Sequence, residues 1–166
     1  KDPLEGLLGV ISMDHFEIHH GKHWTAATDK TLAAASTNIV LTVPAGESGH
    51  LVFDMSASGA WYGALYETPT INAPGSGLAA NNNFRASANV AGIVATEDAT
   101  IGANGTLLKP VQGGGTGVGG TSSSGVAGSR AEFILTTGDY LLLLTATIGD
   151  RAQITAEWYE LKWITS

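Results

Sequence analysis

Apolar and polar side chains alternate along much of this chain. In "HLVFDMSAS" (50–58) Leu51, Phe53, Met55 and Ala57 oppose His50, Asp54 and Ser56, with Val52 the single exception. Successive strand residues face opposite ways, so this spacing predicts a half-buried strand. The preceding "NIVLTV" (38–43) runs into "PAGES", where Pro44 and Gly46 signal a turn, and residues 38–58 are expected to form an antiparallel hairpin. A second hairpin is expected downstream. "AEFILTT" (131–137) sets Ala131, Phe133 and Leu135 on one face, "GD" at 138–139 predicts the turn, and "YLLLLTATI" (140–148) reads as a strand buried on both faces. After a further turn at "GD" (149–150), "RAQITAEWYELKW" points Ala152, Ile154, Ala156 and Trp158 inward and Arg151, Gln153, Thr155 and Glu157 outward. Beyond Trp158 the apolar parity passes to Tyr159, Leu161 and Trp163, which predicts a bulge or an exposed aromatic end.

Between these blocks, "WYGALYET" (61–68) reads as a strand and residues 69–87 as a long polar connection rich in turn formers. Residues 90–111 hold two short apolar pieces. Residues 113–128 carry no large side chain, so a flexible surface loop is expected over 112–128. "TLAAAS" (31–36) is the only weak helical signal, and its β-branched flanks oppose it. About eight to ten strands joined by turns predict an all-β, antiparallel β-sandwich of jelly-roll type, with an N-terminal arm over 1–13 and the sandwich over 14–166.

Composition strengthens this picture and narrows the chemistry. A chain of 166 residues can bury roughly 70% of its unfolded surface and so fold without cross-links. Its 22 glycines and 14% charged residues disfavour a helical bundle. The absence of cysteine excludes disulfides, thiolate metal sites and cysteine nucleophiles. A net charge of −7, with the eight basic residues scattered, predicts neither a nucleic-acid partner nor an anionic membrane surface. No apolar run approaches the ~20 residues of a membrane span. The chain opens at Lys1 rather than at a methionine, no signal peptide is expected within the residues from Lys1 on, and targeting is left open.

The densest chemistry lies in "DHFEIHHGKHW" (14–24). Read as a strand, residues 15–20 place His15, Glu17 and His19 on one face, the metal-ligand geometry of a cupin-like enzyme, and Phe16 and Ile18 on a core face. A catalytic cupin would bury its ligands, and no later segment supplies a further histidine after a Pro-Gly turn. His15 and His19 are therefore expected to face solvent or a partner, with no catalytic residue and no cofactor assigned. Gly115, Gly117 and Gly120 have dinucleotide-loop spacing but lack the strand and helix that such a loop requires. "NGT" (104–106) reads as an Asn-Gly turn. Arg85, following "NNN", suits loop stapling and interface contact equally.

Five segments together carry a resemblance: "IHHG" (18–21), "LYETPT" (65–70), "NNNFR" (81–85), "GSRAEFILTTGDYLLLLTA" (128–146) and "EWYE" (157–160). The ordered set resembles the decoration, or cement, proteins that coat the heads of tailed bacteriophages. By position, His19 and Gly21 match the family's His-x-Gly turn and Tyr66 and Glu67 its Tyr-Glu step. Asn81, Asn83 and Arg85 match its Asn/Arg loop, and Trp158 and Tyr159 its terminal aromatic pair. The chain departs from the pattern at His20, where the family shows an acidic or small residue, and at Thr68, where it shows glycine. The resemblance implies a jelly-roll homotrimer on the outer capsid surface that ties together hexamers of the major capsid protein. It makes Leu7, Leu8, Val10, His15, His19, Asn83, Arg85, Tyr159 and Trp163 interface candidates. A receptor- or carbohydrate-binding module of a phage fibre is the alternative, and a cupin-like metal enzyme a more distant one.

Overall fold

The computed structural model describes residues 13–114 and 132–162. Among the described residues one short helix, α1 (Met13–His19), precedes thirteen strands. These are β1 (His23–Thr31), β2 (Ser36–Val43), β3 (Glu47–Ala57), β4 (Trp61–Glu67), β5 (Thr70–Ala73), β6 (Ser76–Leu78), β7 (Asn81–Asn82), β8 (Val94–Glu97), β9 (Thr100–Ala103), β10 (Thr106–Gly113), β11 (Phe133–Leu135), β12 (Gly138–Ala146) and β13 (Arg151–Lys162). A five-stranded sheet in the order β11-β3-β13-β1-β7 faces a six-stranded sheet in the order β10-β4-β12-β2-β8-β6, and β5 and β9 form a separate ribbon. All pairings are antiparallel. The strands beyond the expected eight to ten are mostly short ones within the polar connection: β5, β6 and β7.

The alternation read from sequence is the alternation of the core. Leu51, Phe53, Met55 and Ala57 of β3 and Ala152, Ile154, Ala156 and Trp158 of β13 are buried, and meet Ile39, Leu41, Val43, Leu65, Leu142 and Leu144 of the opposite sheet. Each large apolar side chain removed from water contributes roughly 1.5–3 kcal/mol, so this interlayer packing dominates the stability. Strand β12 is buried on both faces, as its unbroken leucines predict. Leu142 and Leu144 enter the main core, while Leu141 joins Val40 and Ala99 in a second cluster packed against Ile71 and Ile101 of the ribbon.

Neither expected hairpin forms. Strands β2 and β3 lie in different sheets, as do β11 and β12, so "PAGES" and the 136–137 link carry the chain across the sandwich. Gly138 and Asp139 are not a turn but the start of β12, paired with Val43 and Thr42. Two strands that each present an apolar face can bury those faces against one another across a sandwich, and turn residues look the same in either connection. The bulge expected near Trp158 is also absent. Strands β13 and β3 pair one-to-one from Ala152–Ala57 to Lys162–Glu47. "TLAAAS" forms no helix, and Asn104-Gly105 links β9 to β10 in a different sheet, with Gly105 at φ 86°.

The largest correction concerns residues 13–19, which are helical rather than extended. Phe16, expected in the core, is exposed, and Glu17, expected outside, is buried. A seven-residue helix is too short to persist alone, so tertiary contacts must hold it. Its C-terminal end closes at Gly21, whose φ of 65° suits a left-handed helix-terminating residue and whose N–H donates to the Ile18 carbonyl at 2.9 Å. Asn82 Nδ2 and Asn89 Nδ2 each donate to the Gly21 carbonyl, at 2.9 and 3.0 Å. A Cβ at Gly21 would lie 2.3 Å from Ser87 Oγ, so glycine is required there for contact as well as conformation. Of the interface candidates, Leu7, Leu8, Val10 and Trp163 lie outside the described residues, as do residues 1–12 of the N-terminal arm and most of the 112–128 segment, while Met13 begins α1. Gln112 and Gly113 belong to β10.

Candidate functional site

The outer face of the five-stranded sheet, where α1 covers it, gathers residues from five places in the chain. Strand parity turns His23 of β1, Tyr159 of β13 and His50 of β3 outward, and the register sets them directly opposite one another. They form one cross-strand row of rings, with centroids 6.4 Å apart for His23–Tyr159 and 4.5 Å for Tyr159–His50, at interplanar angles of 23° and 18°. The Tyr159 hydroxyl lies 2.9 Å from His50 Nδ1, and the Glu132 carboxylate 3.3 Å from the same nitrogen. Thr25, Glu157 and Val52 follow in the next row of the same face.

Asn83 closes the row from above. Its backbone N–H donates to the His23 carbonyl at 2.8 Å, its Nδ2 lies 2.6 Å from His23 Nδ1, and its Oδ1 accepts from Thr25 Oγ1 at 2.8 Å. With the amide in this orientation, His23 Nδ1 is the acceptor. Ile18 of α1, Asn83, the three rings, Val52 and Glu157 enclose a cavity of about 220 Å³. That is smaller than the ~300–1,000 Å³ usual for small-molecule sites. The arrangement therefore fastens α1 and the Asn83 loop to the sheet rather than opening a substrate pocket.

The expected site residues separate. His15 and His19 share the exposed face of α1, one turn apart, with Nε2 atoms 3.1 Å from each other. Glu17, grouped with them on a strand reading, is turned inward, and among the described residues its Oε2 has no hydrogen-bond partner. Helical geometry explains the split, because positions i and i+4 share a face and i+2 points away. No group of three or more His, Asp or Glu side chains converges as a metal site among the described residues. Arg85 is exposed and donates one 3.3 Å bond to the Asn82 carbonyl, so Asn82 and Asn83 do most of the loop stapling. Tyr159, read as an exposed aromatic end, is 5% exposed. His23 and His50 were not singled out by pattern; their outward parity was visible, but their shared row depends on which strands are neighbours.

Exposed apolar side chains flank this region. Phe16 lies on α1, and Phe84 and Val90 lie on the loop that packs against its C-terminal end. The ion pairs whose titration is displaced belong to the scaffold. Hydrogen bonds from Lys30 and Thr28 hold the Glu97 carboxyl below its ordinary range and so link β1 to β8 across the two sheets. The Arg151 guanidinium does the same to Asp29 through a two-pronged contact at 2.8 and 2.7 Å. No family model matches the chain, and neither a curated protein nor a solved structure matches it.

Proposed function

We propose that this protein is a non-enzymatic decoration protein of a tailed-phage capsid, acting as a homotrimer on the outer surface of the shell and binding the major capsid protein. The observation that carries the proposal is conformational. The family pattern has glycine after Tyr-Glu, and Thr68, which stands there, adopts a left-handed φ of 53°. A β-branched residue rarely does so, and the position demands what the pattern supplies.

The spatial pairing of the resembling segments supports the same reading. "IHHG", "NNNFR" and "EWYE" meet where Asn82 binds Gly21 and Asn83 holds His23 beside Tyr159. "LYETPT" meets "GDY" where Tyr140 pairs with Glu67 and Thr68 N–H donates to the Asp139 carbonyl at 3.0 Å. Strands remote in sequence thus join through the matched positions, as expected if these residues specify a shared fold. The order β11-β3-β13-β1 against β10-β4-β12-β2, with the chain crossing between sheets at each step from β1 to β4, supports the jelly-roll reading of the sandwich.

Phe16, Phe84 and Val90 offer apolar contact surface next to Arg85, and repeated weak contacts from a trimer would sum to firm attachment. The covered ring row offers no open platform for a sugar. Cosedimentation with expanded, undecorated phage heads is the test, with saturable binding expected. Light scattering after gel filtration is expected to give a trimer. A concentration-independent monomer together with no saturable binding overturns the proposal.

A further inference from the structure

We propose that His15 and His19 form a two-imidazole clamp for a single late first-row divalent metal ion. The case is geometric and does not depend on the capsid reading. Two cis nitrogen ligands at the usual 2.0–2.1 Å from one ion, at angles between square and tetrahedral, lie about 2.8–3.4 Å apart. The two Nε2 atoms are 3.1 Å apart, inside that window, with ring centroids at 4.7 Å and planes at 73°. An ion replacing their mutual contact needs little movement of either ring. Histidines at i and i+4 on one helix face are the spacing that helical zinc sites use.

The clamp is held ready for an ion. Alone, a helix this short would fray, and ordering it would oppose binding. Here the Lys22 N–H donates to the Glu17 carbonyl at 2.9 Å, and Asn82 and Asn89 fix the C-terminal end. Both imidazoles are exposed, so an ion can reach them. The other histidines are engaged differently: His20 Nδ1 contacts the Phe16 carbonyl at 2.9 Å and its ring packs on Phe16, while His23 and His50 are held in the covered row. Glu17, buried on the opposite side, is not a ligand. Among the described residues no third His, Asp or Glu side chain converges on the pair.

Two neutral nitrogen ligands predict affinities in the order Cu²⁺ above Ni²⁺ and Zn²⁺, with Mn²⁺ weakest. The test is calorimetric titration of the untagged full chain with Cu²⁺, Ni²⁺ and Mn²⁺, together with electron paramagnetic resonance of the Cu²⁺ form. One ion per chain and a two-nitrogen copper signal are expected. His15→Ala and His19→Ala should each weaken Cu²⁺ binding at least tenfold and leave at most one of those two nitrogens in the signal, while His20→Ala retains both. Circular dichroism and thermal melting of each variant check that the fold persists, and Ni²⁺ should raise the melting temperature of the parent but not of His19→Ala. Binding unchanged by His15→Ala and His19→Ala, or weakened equally by His20→Ala, overturns the proposal.

Discussion

The two outer faces of the sandwich are closed in different ways. Over the six-stranded sheet the β5–β9 ribbon buries Val40, Leu141 and Ala99 against Ile71 and Ile101, an apolar layer outside the main core. Both ribbon strands follow a residue with left-handed backbone, Thr68 before β5 and Asp98 before β9. Over the five-stranded sheet, a helix of seven residues and the Asn83 loop are fastened by directional bonds to rings and amides. The first closure joins apolar burial to a two-way bond in which Asn38 Nδ2 donates to the Ala99 carbonyl and the Ala99 N–H donates to Asn38 Oδ1, each at 3.0 Å. The second depends on hydrogen bonds that hold at one geometry, which suits a surface that must present side chains in fixed positions.

Substitutions on the two faces separate these mechanisms. Leu141→Ala should have the largest effect, a loss of about 2–5 kcal/mol in chemical denaturation, because Leu141 is fully buried and its truncation opens a cavity beneath the ribbon. A loss under about 1 kcal/mol would show that the ribbon is not a second core. Next, Gly21→Ala combines a left-handed backbone with a clash at Ser87. It should lose roughly 1–3 kcal/mol and speed amide exchange in α1 while leaving the ribbon protected. Uniform exchange in both regions would contradict separate closures.

Tyr159→Phe keeps the ring row and deletes the hydroxyl with its contact to His50, for a loss of about 0.5–1.5 kcal/mol by denaturant titration. A larger loss would mean that the row relies on that bond more than on stacking. Thr68→Gly should gain about 0.5–1 kcal/mol, since relief of the left-handed strain exceeds the added chain entropy; a net loss would locate the strain elsewhere.

The smallest expected change is at the exposed Asp29–Arg151 pair, on the face covered by α1 but at its far end. The Asp29 carboxyl titrates lower in the folded chain than in the unfolded one, owing first to the hydrogen bond from Arg151. Its contribution is therefore complete above the ordinary carboxylate range near 3.9 and is lost as pH falls through the lower folded value. Acid titrations of the parent and Arg151→Ala should differ by a constant amount above about pH 5 and converge at lower pH. Divergence toward low pH would reverse the assignment.

Legibility in the sequence followed the kind of interaction. The faces of β3 and β13 and the double burial of β12 were readable, because burial imposes a period of two whatever the neighbouring strands are. The partners were not. Pro44-Gly46 and Gly138-Asp139 carry turn chemistry without stating whether the chain returns to the same sheet or crosses to the other. The strand assigned to residues 15–20 failed for a related reason: Phe16 and Ile18 are two apart, and so short an alternation also fits one turn of helix. What settles it is Gly21 docked against Ser87 and Asn89, nearly 70 positions later.

Sequence alone thus determined that the chain is an antiparallel sandwich, which side of its long strands is buried, and that its histidines concentrate at one end of the first strand. Tertiary structure alone decided that His23, Tyr159 and His50 share a row, that Glu17 turns away from His15 and His19, and that those two meet at 3.1 Å. The division has a physical cause. Solvent exclusion acts on each residue according to its own polarity and leaves a local periodic record, whereas pairing depends on the relative placement of segments far apart in the chain, which no local period encodes.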